Sequence, residues 1–302
     1  MPDEVKAPRP GNVLVSASPN PLFDRRAWRQ HRARAARNPV DFLHKEIAER
    51  LGDRLELISR EFPTALDLGS RGLHLTSLLQ KRPGTTRVVT AEPAAGIETR
   101  GEVAADPELI PFGDAVFDLI ASNLVLHWTG DLPGALVQLR RVLKPDGLLL
   151  AAMFGGQTLV ELRTALFDAE LEEEGGVSPR VSPAIELSDA AALLQRAGYA
   201  LPVADSEAIT VTYPDLLALI NDLRGMGETN ALAARRRGGL HRATLARAAA
   251  IYGERFSNAD GRIRATFEII YLCGWAPHDS QPKPLPRGSG KIPLAHALKA
   301  HE

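Results

Sequence analysis

The sequence predicts an α/β fold in which a mostly parallel sheet carries helices on both faces. From Ala65 onward, short apolar strands alternate with single helices, which is the pattern of βαβ units. The stretch TALDLGSRGLHLTSLL, residues 64–79, shows this most clearly, because an apolar strand enters a turn with two glycines and a helix follows. Polar residues recur at the ends of successive strands, where an open parallel sheet binds its ligands.

The composition is that of an ordinary globular protein. The chain has 302 residues, of which 44% are hydrophobic and 24% charged, and its formal net charge is −1. This charge gives no general attraction to nucleic acid, and no apolar run approaches the ~18 residues of a membrane span, so we expect neither a nucleic-acid partner nor an integral membrane segment. The single cysteine, Cys273, indicates no disulfide and no structural zinc site. We expect a cytoplasmic protein of bacterial type without a metal.

The chain divides into three parts. Residues 1–20 are proline-rich and are predicted to be a disordered lead-in. Residues 21–275 are predicted to form one domain, with a ligand-binding core at about 60–155 and a helical C-terminal elaboration at 156–275. Residues 276–302 contain several prolines and are predicted to be an extended tail.

Two helices are predicted before the first strand, within residues 23–50. Six arginines lie between residues 25 and 37, and Asn38-Pro39 interrupts the helical pattern. The arginines are interpreted either as a solvated helix face or as a basic lid over an acidic substrate or partner. His44 and Glu46, in the second helix, are interpreted as surface residues rather than as an iron site.

The remaining elements follow in order. Strands are predicted in ALDL, RVVTAEP, EVAADPELIPF, FDLIASNLVLHW, LLLAAMF, VADSEAITVTY and GRIRATFEIIYLCGWAP, and helices in HLTSLLQK, DLPGALVQLRRVL, TLVELRTALFDAELEEE, SDAAALLQRAGY, DLLALINDLRGMG and most of residues 229–256. The stretch KPDG, residues 144–147, is predicted to be a turn in which Gly147 takes the positive φ.

The residues at the strand ends indicate a nucleoside-like ligand. Gly69 and Gly72 allow close approach of the backbone, but neither G-x-G-x-x-G nor a P-loop is present. Glu92, after the second strand, is placed to accept hydrogen bonds from a ribose, and Asp106 to accept one from a purine amine. A ribose carboxylate without a pyrophosphate loop favours S-adenosylmethionine over a dinucleotide, and Asp67 suits its cationic groups.

Several stretches resemble the motifs of class I S-adenosylmethionine-dependent methyltransferases. These are LDLGSRG, TAEP, AADPELIPF, SNLVLHW and LRRVLKPDGLLL. The stretches LFDRRAWRQHRARAA, MFGGQTLVELR, EEGGVSPRVSP, YPDLLALINDLRGMGETNA and GERFSNADGRIRATFEIIYLCGWAPHDSQPKPLPRGS are similar to the respiratory complex I assembly factor 5 family. The resemblance covers roughly residues 21–290.

The resemblance implies a Rossmann-like, seven-stranded fold, an S-adenosylmethionine site and hydroxylation of an arginine on a peripheral-arm subunit of complex I, on the matrix side in mitochondria. Carried over by motif, the cofactor-binding residues are Asp67, Gly69, Ser70, Glu92, Asp106 and Asn123. Arg71 and Leu73 stand where such loops generally have glycine, and Arg71 is predicted to pair with the cofactor carboxylate.

His127 and Trp128 are the candidate catalytic residues, because they follow the fourth strand where the methyl group would lie. Histidine can act as a base near neutral pH, and an indole face can contact a sulfonium or guanidinium. Both are alternatively explained by packing of the next helix. Glu161 and the acidic run 172–174 are candidates for receiving a substrate arginine, with a solvated helix end as the alternative for the run.

Two other functions remain open. A malonyl-carrier-protein O-methyltransferase of biotin synthesis shares the SNLVLHW-type loop, and the arginine-rich first helix would suit an acidic carrier protein. A non-catalytic assembly chaperone would keep the fold without turnover, which the glycine-poor first loop favours.

Overall fold

The computed structural model of the chain describes residues 21–69, 71–94 and 101–282, so the predicted lead-in, Ser70 and the tail beyond residue 282 lie outside it. The helices are α1 (Arg25–Arg37), α2 (Phe42–Glu56), α3 (His74–Lys81), α4 (Leu132–Val142), α5 (Val160–Glu174), α6 (Leu187–Arg196), α7 (Leu216–Met226) and α8 (Arg242–Phe256). The strands are β1 (Thr64–Leu68), β2 (Arg87–Glu92), β3 (Val103–Ala104), β4 (Phe117–Asn123), β5 (Leu143–Phe154), β6 (Ala200–Tyr213) and β7 (Ile263–Trp275). None of the helices in this part of the chain is long and apolar enough to cross a membrane.

The strands form one seven-stranded sheet in the order β3-β2-β1-β4-β5-β7-β6. The five strands from β3 to β5 are parallel, whereas β7 runs antiparallel to both β5 and β6. The prediction of a seven-stranded, mostly parallel sheet is therefore confirmed. This order reverses direction at β1 and β4, so the ligand-binding crevice is expected above their carboxyl ends.

Apolar side chains cover the two faces of the sheet. One core joins the sheet to α2, α3, α5, α7 and α8, and the other joins it to α1, α4 and α6. Successive residues of β5 alternate between them, with Leu148 and Leu150 in the first core and Leu149 and Ala151 in the second. A strand buried on both faces is apolar throughout, which explains the unbroken LLLAAMF run.

One local prediction is wrong. The KPDG stretch is not a separate turn but the start of β5, and Asp146 rather than Gly147 takes the positive φ, at 62°. Aspartate tolerates this left-handed conformation, and the side chain of Asp146 is held by Arg60 and by Gln281. The prediction that most of residues 229–256 are helical is confirmed by the 15-residue α8, whereas residues 231–241 form turns and a bridge to Phe23.

Candidate active site

The carboxyl ends of β1, β2 and β4 bring the predicted site residues to one edge of the sheet. Parallel pairing sets Asp67 beside Thr90 and Ala121, and Leu68 beside Ala91 and Ser122. Gly69, Glu92 and Asn123 therefore follow side by side at the strand ends. The register of β1 with β2 and β4 thus explains why the predicted site residues lie at the same edge of the sheet.

Gly69 makes the turn that leaves β1. Its φ is 82°, and its N–H donates to the carbonyl of Ala91 at 2.7 Å. A Cβ added at this position would lie 2.6 Å from the Cβ of Val125, which is closer than real contacts allow. The turn thus requires glycine both for its conformation and for the close approach of Val125, which follows the end of β4. The structure does not show that it binds a ligand, so this role of Gly69 remains a prediction.

Asp67 is buried with only half of its carboxylate satisfied. Oδ2 accepts a 2.6 Å hydrogen bond from the hydroxyl of Thr76, whereas Oδ1 has no partner among the described residues. Burial, followed by the neighbouring negative charge of Glu92, raises the pKa of Asp67 to about 7. Asp67 can therefore exchange a proton near neutral pH when a ligand arrives.

Glu92 is held by an arginine of the first helix. Arg32 donates from Nε and Nη2 to the two carboxylate oxygens, the second bond measuring 2.8 Å. Both side chains are buried, with 2% of Arg32 and 4% of Glu92 exposed. The carboxylate predicted to accept a ribose is thus occupied by a planar guanidinium of the same chain.

Asp106 is held in the same way by the preceding turns of α1. Arg25 donates from Nε to Oδ2 at 2.9 Å and from Nη2 to Oδ1, and Arg29 lies 3.3 Å from Oδ2. Together, Arg25 and Arg32 form an arginine clamp that lays α1 over the carboxyl edge of the sheet. The interpretation of α1 as a solvated face is therefore wrong for Arg32, and the acidic groups that α1 covers belong to this chain.

Arg71 reaches the end of a helix instead of an open ligand site. Its guanidinium donates to the carbonyls of Met226 and Gly225 at the end of α7, and the Gly225 carbonyl also accepts from the N–H of Val40 at 3.1 Å. Burial and the nearby charge of Arg32 lower the pKa of Arg71 to about 10. Its Nε has no partner among the described residues, so pairing with a cofactor carboxylate remains a prediction.

His44 is completely buried beside this edge, so the interpretation of the HxE triplet as surface chemistry is wrong for its histidine. The side-chain amide of Asn123 donates to the His44 carbonyl at 2.8 Å. Burial, then Arg71 and Arg32, hold the pKa of His44 well below its usual value, so the imidazole is neutral. The available signal was helical spacing, because Leu43 directly precedes His44, Ile47 lies one turn after it, and both belong to the same core.

Unpartnered polar atoms gather around these residues. Within the described ranges, no hydrogen-bond partner exists for Asp67 Oδ1, Ser122 Oγ, Asn123 Oδ1, Arg32 Nη1, Arg71 Nε or either ring nitrogen of His44. Each such buried group costs about 1–3 kcal/mol, so native proteins rarely gather them without a ligand or water. The set offers acceptors for an ammonium group and donors for a carboxylate, and it fits the amino-acid part of S-adenosylmethionine.

A second cluster lies just beyond β4, where a short 3-10 turn (Leu126–Trp128) begins. Glu228 accepts from Trp128 Nε1 at 3.1 Å, and its Oε2 lies 3.1 Å from His127 Nε2. Burial raises the pKa of Glu228, but His127, Arg32 and the indole outweigh it and hold the pKa below its usual value. The structure thus joins both candidate catalytic residues through an ionised carboxylate that the sequence analysis did not select.

The end of α7 places Glu228. Gly227 takes a φ of 78°, and its N–H donates to the backbone carbonyl of Arg224. The N–H of Glu228 donates to the backbone carbonyl of Leu223 at 2.8 Å. This is the Schellman pattern, which reverses the chain directly after a helix. The sequence signal was Gly227 after a helical pattern, which marks a helix end although it does not show where the next side chain points.

The acidic residues proposed to receive an arginine are already engaged. Glu161 is buried and accepts from the N–H and hydroxyl of Thr266. At the end of α5, Glu172 pairs with Arg247 and Glu174 with Arg236. Glu172 and Glu174 therefore connect the end of α5 to α8 and to the segment before α8, whereas Glu173 is exposed.

Comparisons with known proteins agree with the fold. A family model described as a methyltransferase domain matches residues 66–151, from β1 through most of β5. The crystal structure of the YcgJ protein of Bacillus subtilis superimposes with a TM-score of 0.51 at 17% identity, covering 76% of this chain and 99% of that one. The fold and the matched domain define a methyltransferase-like enzyme of the S-adenosylmethionine-dependent class.

Sequence relatives give the family. The protein named arginine-hydroxylase NDUFAF5, mitochondrial, of Danio rerio is 41% identical over 289 residues, which cover 92% of this chain and 90% of the relative. The malonyl-[acyl-carrier protein] O-methyltransferase of Xylella fastidiosa is 35% identical over 274 residues, covering 85% and 90%. This chain belongs to the NDUFAF5 arginine-hydroxylase family, and the predicted resemblance is confirmed.

Proposed function

We propose that this protein uses S-adenosylmethionine to modify an arginine side chain of a protein substrate. The observation that carries the proposal is the gathering of unpartnered buried polar atoms at the carboxyl edge of a methyltransferase-like sheet, in a chain whose relative is named an arginine hydroxylase. A peripheral-arm subunit of respiratory complex I is the proposed substrate, and this protein would act in the compartment where that subunit is assembled. This part of the proposal is supported by the resemblance of the motifs.

Each residue at the carboxyl edge of the sheet would bind a different part of the cofactor. Asp67 would receive the ammonium group, and Arg71 Nε the carboxylate, because opposite charges lower the cost of burying each group. Glu92 would accept the ribose hydroxyls and Asp106 the adenine amine. When bound, the cofactor supplies an electrophilic methyl group at its sulfonium. His127 and Trp128 would lie next to that position and orient the substrate.

The arginine clamp must open for this to happen. Arg32 and Arg25 occupy the carboxylates that the ribose and the adenine need. We infer that cofactor binding displaces both guanidinium groups and shifts α1 from the edge of the sheet.

The binding of S-adenosylmethionine tests the cofactor site directly. Glu92→Gln and Asp106→Asn each remove a charged acceptor, worth about 1.5–3 kcal/mol, so we expect binding to weaken by about 10- to 100-fold. Isothermal titration calorimetry measures this, after circular dichroism has confirmed folding. Glu102→Gln and Asp114→Asn, which change exposed acids, are the matched controls and should bind as the wild type does.

The product identifies the reaction and the substrate. Incubation with an arginine-containing complex I subunit should add the mass of one oxygen or one methylene to an arginine, as read by peptide mass spectrometry. Modification of a malonyl-loaded acyl carrier protein instead would support the O-methyltransferase. If the wild type gives no binding heat at high micromolar cofactor, the chaperone interpretation replaces the enzyme.

A further inference from the structure

A cavity of about 360 Å³ adjoins the candidate catalytic residues. His127, Trp128 and Glu228 form its polar end, and its lining includes the exposed Arg224, so it reaches the protein surface. The remaining wall is largely apolar, with Phe154, Leu159, Leu162, Leu166, Leu223 and Phe267 among its residues. Glu228 is the one carboxylate among the described residues of the lining, and a largely apolar cavity with one carboxylate suits a side chain with an aliphatic stem and a cationic head.

Glu228 has the capacity to bind such a head group. Its side chain is 7% exposed, and its Oε1 makes only a 3.3 Å contact with the indole of Trp128, which leaves acceptor positions free. Its Oε2 is held by His127 and Trp128 Nε1, so the carboxylate has a fixed orientation. A fixed, ionised carboxylate in an apolar cavity binds a planar guanidinium better than it binds a neutral amide.

None of the four described arginines that line the cavity forms a salt bridge with Glu228. Arg180 pairs with Glu170, Arg235 with Asp24 and Arg236 with Glu174, and the exposed Arg224 donates to the side chain of Asn221. A substrate carboxylate at the polar end would instead face the negative charge of Glu228, which disfavours a malonyl group there.

We propose that Glu228 binds the guanidinium group of the substrate arginine, with the methylene groups of that arginine packed against Leu162, Leu223 and Phe154. The proposal rests on the proposed function and identifies the residue that selects its substrate class. Glu228 is a substrate-binding residue, and His127 and Trp128 position it.

Nα-acetyl-L-arginine amide is the probe, titrated into the full-length ¹⁵N-labelled protein while backbone amide and tryptophan indole signals are followed by NMR. We expect saturable shifts that include the indole of Trp128, assigned through Trp128→Phe, and no comparable shifts with Nα-acetyl-L-citrulline amide, its neutral isostere. Glu228→Gln should weaken binding of the arginine probe by about 10- to 100-fold. The exposed Glu173→Gln is the matched control and should bind as the wild type does.

Glu228→Asp keeps the charge and should retain part of the affinity, which separates charge recognition from a folding defect. Unchanged arginine affinity in Glu228→Gln, equal affinity for citrulline, or preferential binding of malonate would each overturn the proposal. S-adenosylmethionine binding is measured separately on the same variants. If the wild type does not bind S-adenosylmethionine, the cofactor assignment is refuted. If Glu228→Gln loses binding of the arginine probe but keeps binding of S-adenosylmethionine, the assignment of Glu228 is supported.

Discussion

Asp67 is a buried acid whose ionisation is set by its surroundings. Thr76 and Glu92 are the groups that face it, and burial raises its pKa from 3.8 to about 7. The folded chain therefore holds a proton that the unfolded chain releases at lower pH. Between these two pKa values the contribution of Asp67 to stability falls as pH rises, because the folded state binds more protons than the unfolded state.

A ligand with an ammonium group lowers the pKa of Asp67, because the positive charge favours the ionised carboxylate. We expect the affinity for S-adenosylmethionine to increase by about tenfold per pH unit below pH 7 and to level off above it. Calorimetry in a series of buffers measures this dependence. Asp67→Asn should bind weakly with a flatter profile, and an unchanged profile in that variant would contradict the role of Asp67.

Single residues also show where sequence reasoning stops. Asp67, Glu92, Asp106 and Asn123 were predictable because each follows a strand, and parallel pairing brings strand ends together. Arg32 was not, since its partner lies 60 positions away and an arginine-rich helix usually faces solvent. Glu228 was missed for a similar reason, because only the tertiary fold brings it to His127.

At the scale of elements, α1 combines exposed arginines with one arginine, Arg32, that forms a buried ion pair with Glu92. Asp24 caps its start, and Trp28 anchors it beside Trp128, with ring centroids 6.0 Å apart. The arginine clamp lies on the same face of α1, because the guanidinium carbons of Arg25 and Arg32 lie 4.2 and 5.8 Å from the centroid of the Trp28 ring. Trp28 and the clamp therefore hold one face of the helix on the edge of the sheet. The helix was predictable from its pattern, whereas its docking on the edge of the sheet was not.

Removal of one clamp residue tests the displacement of α1. Arg32→Met leaves Glu92 buried without its partner, so we expect the cofactor-free protein to lose about 3–5 kcal/mol of stability. The ribose no longer competes with a guanidinium, so S-adenosylmethionine should bind several-fold more tightly. Urea unfolding and calorimetry measure the two effects.

Arg34→Met is the control for this experiment, because it changes an exposed arginine of the same helix and should alter neither quantity. Weaker cofactor binding in Arg32→Met would show that Arg32 contributes to the cofactor site instead of blocking it.

At the scale of the whole molecule, the C-terminal elaboration shares a core with the ligand-binding strands. Leu119 of β4, Leu162 of α5 and Ile251 of α8 belong to one apolar cluster. This supports the prediction of a single domain across residues 21–275. The shared cluster is the physical argument for this prediction, because elements from both parts of the chain bury their apolar side chains together.

A core substitution tests this cooperativity. Ile251→Ala, at a fully buried position of α8, should lower the free energy of unfolding by about 2–5 kcal/mol. The test uses a Trp275→Phe background, because Trp275 packs against the same core as Ile251. Far-UV circular dichroism and the fluorescence of Trp28 and Trp128, which lie in the other core, should then shift together. Leu171→Ala, at a side chain 53% exposed, is the control and should have little effect. Separate transitions for the two probes would indicate independent units.

The position of β7 between β5 and β6 governs how the chain can fold during synthesis. β6 leaves the ribosome before β7, yet it bonds only to β7 within the sheet, so it has no partner until Ile263–Trp275 has emerged. Until then the apolar edge of β5 stays unpaired in the nascent chain, where it can attract chaperones or other unfinished chains. Completion of the sheet therefore waits until Ile263–Trp275 has been translated.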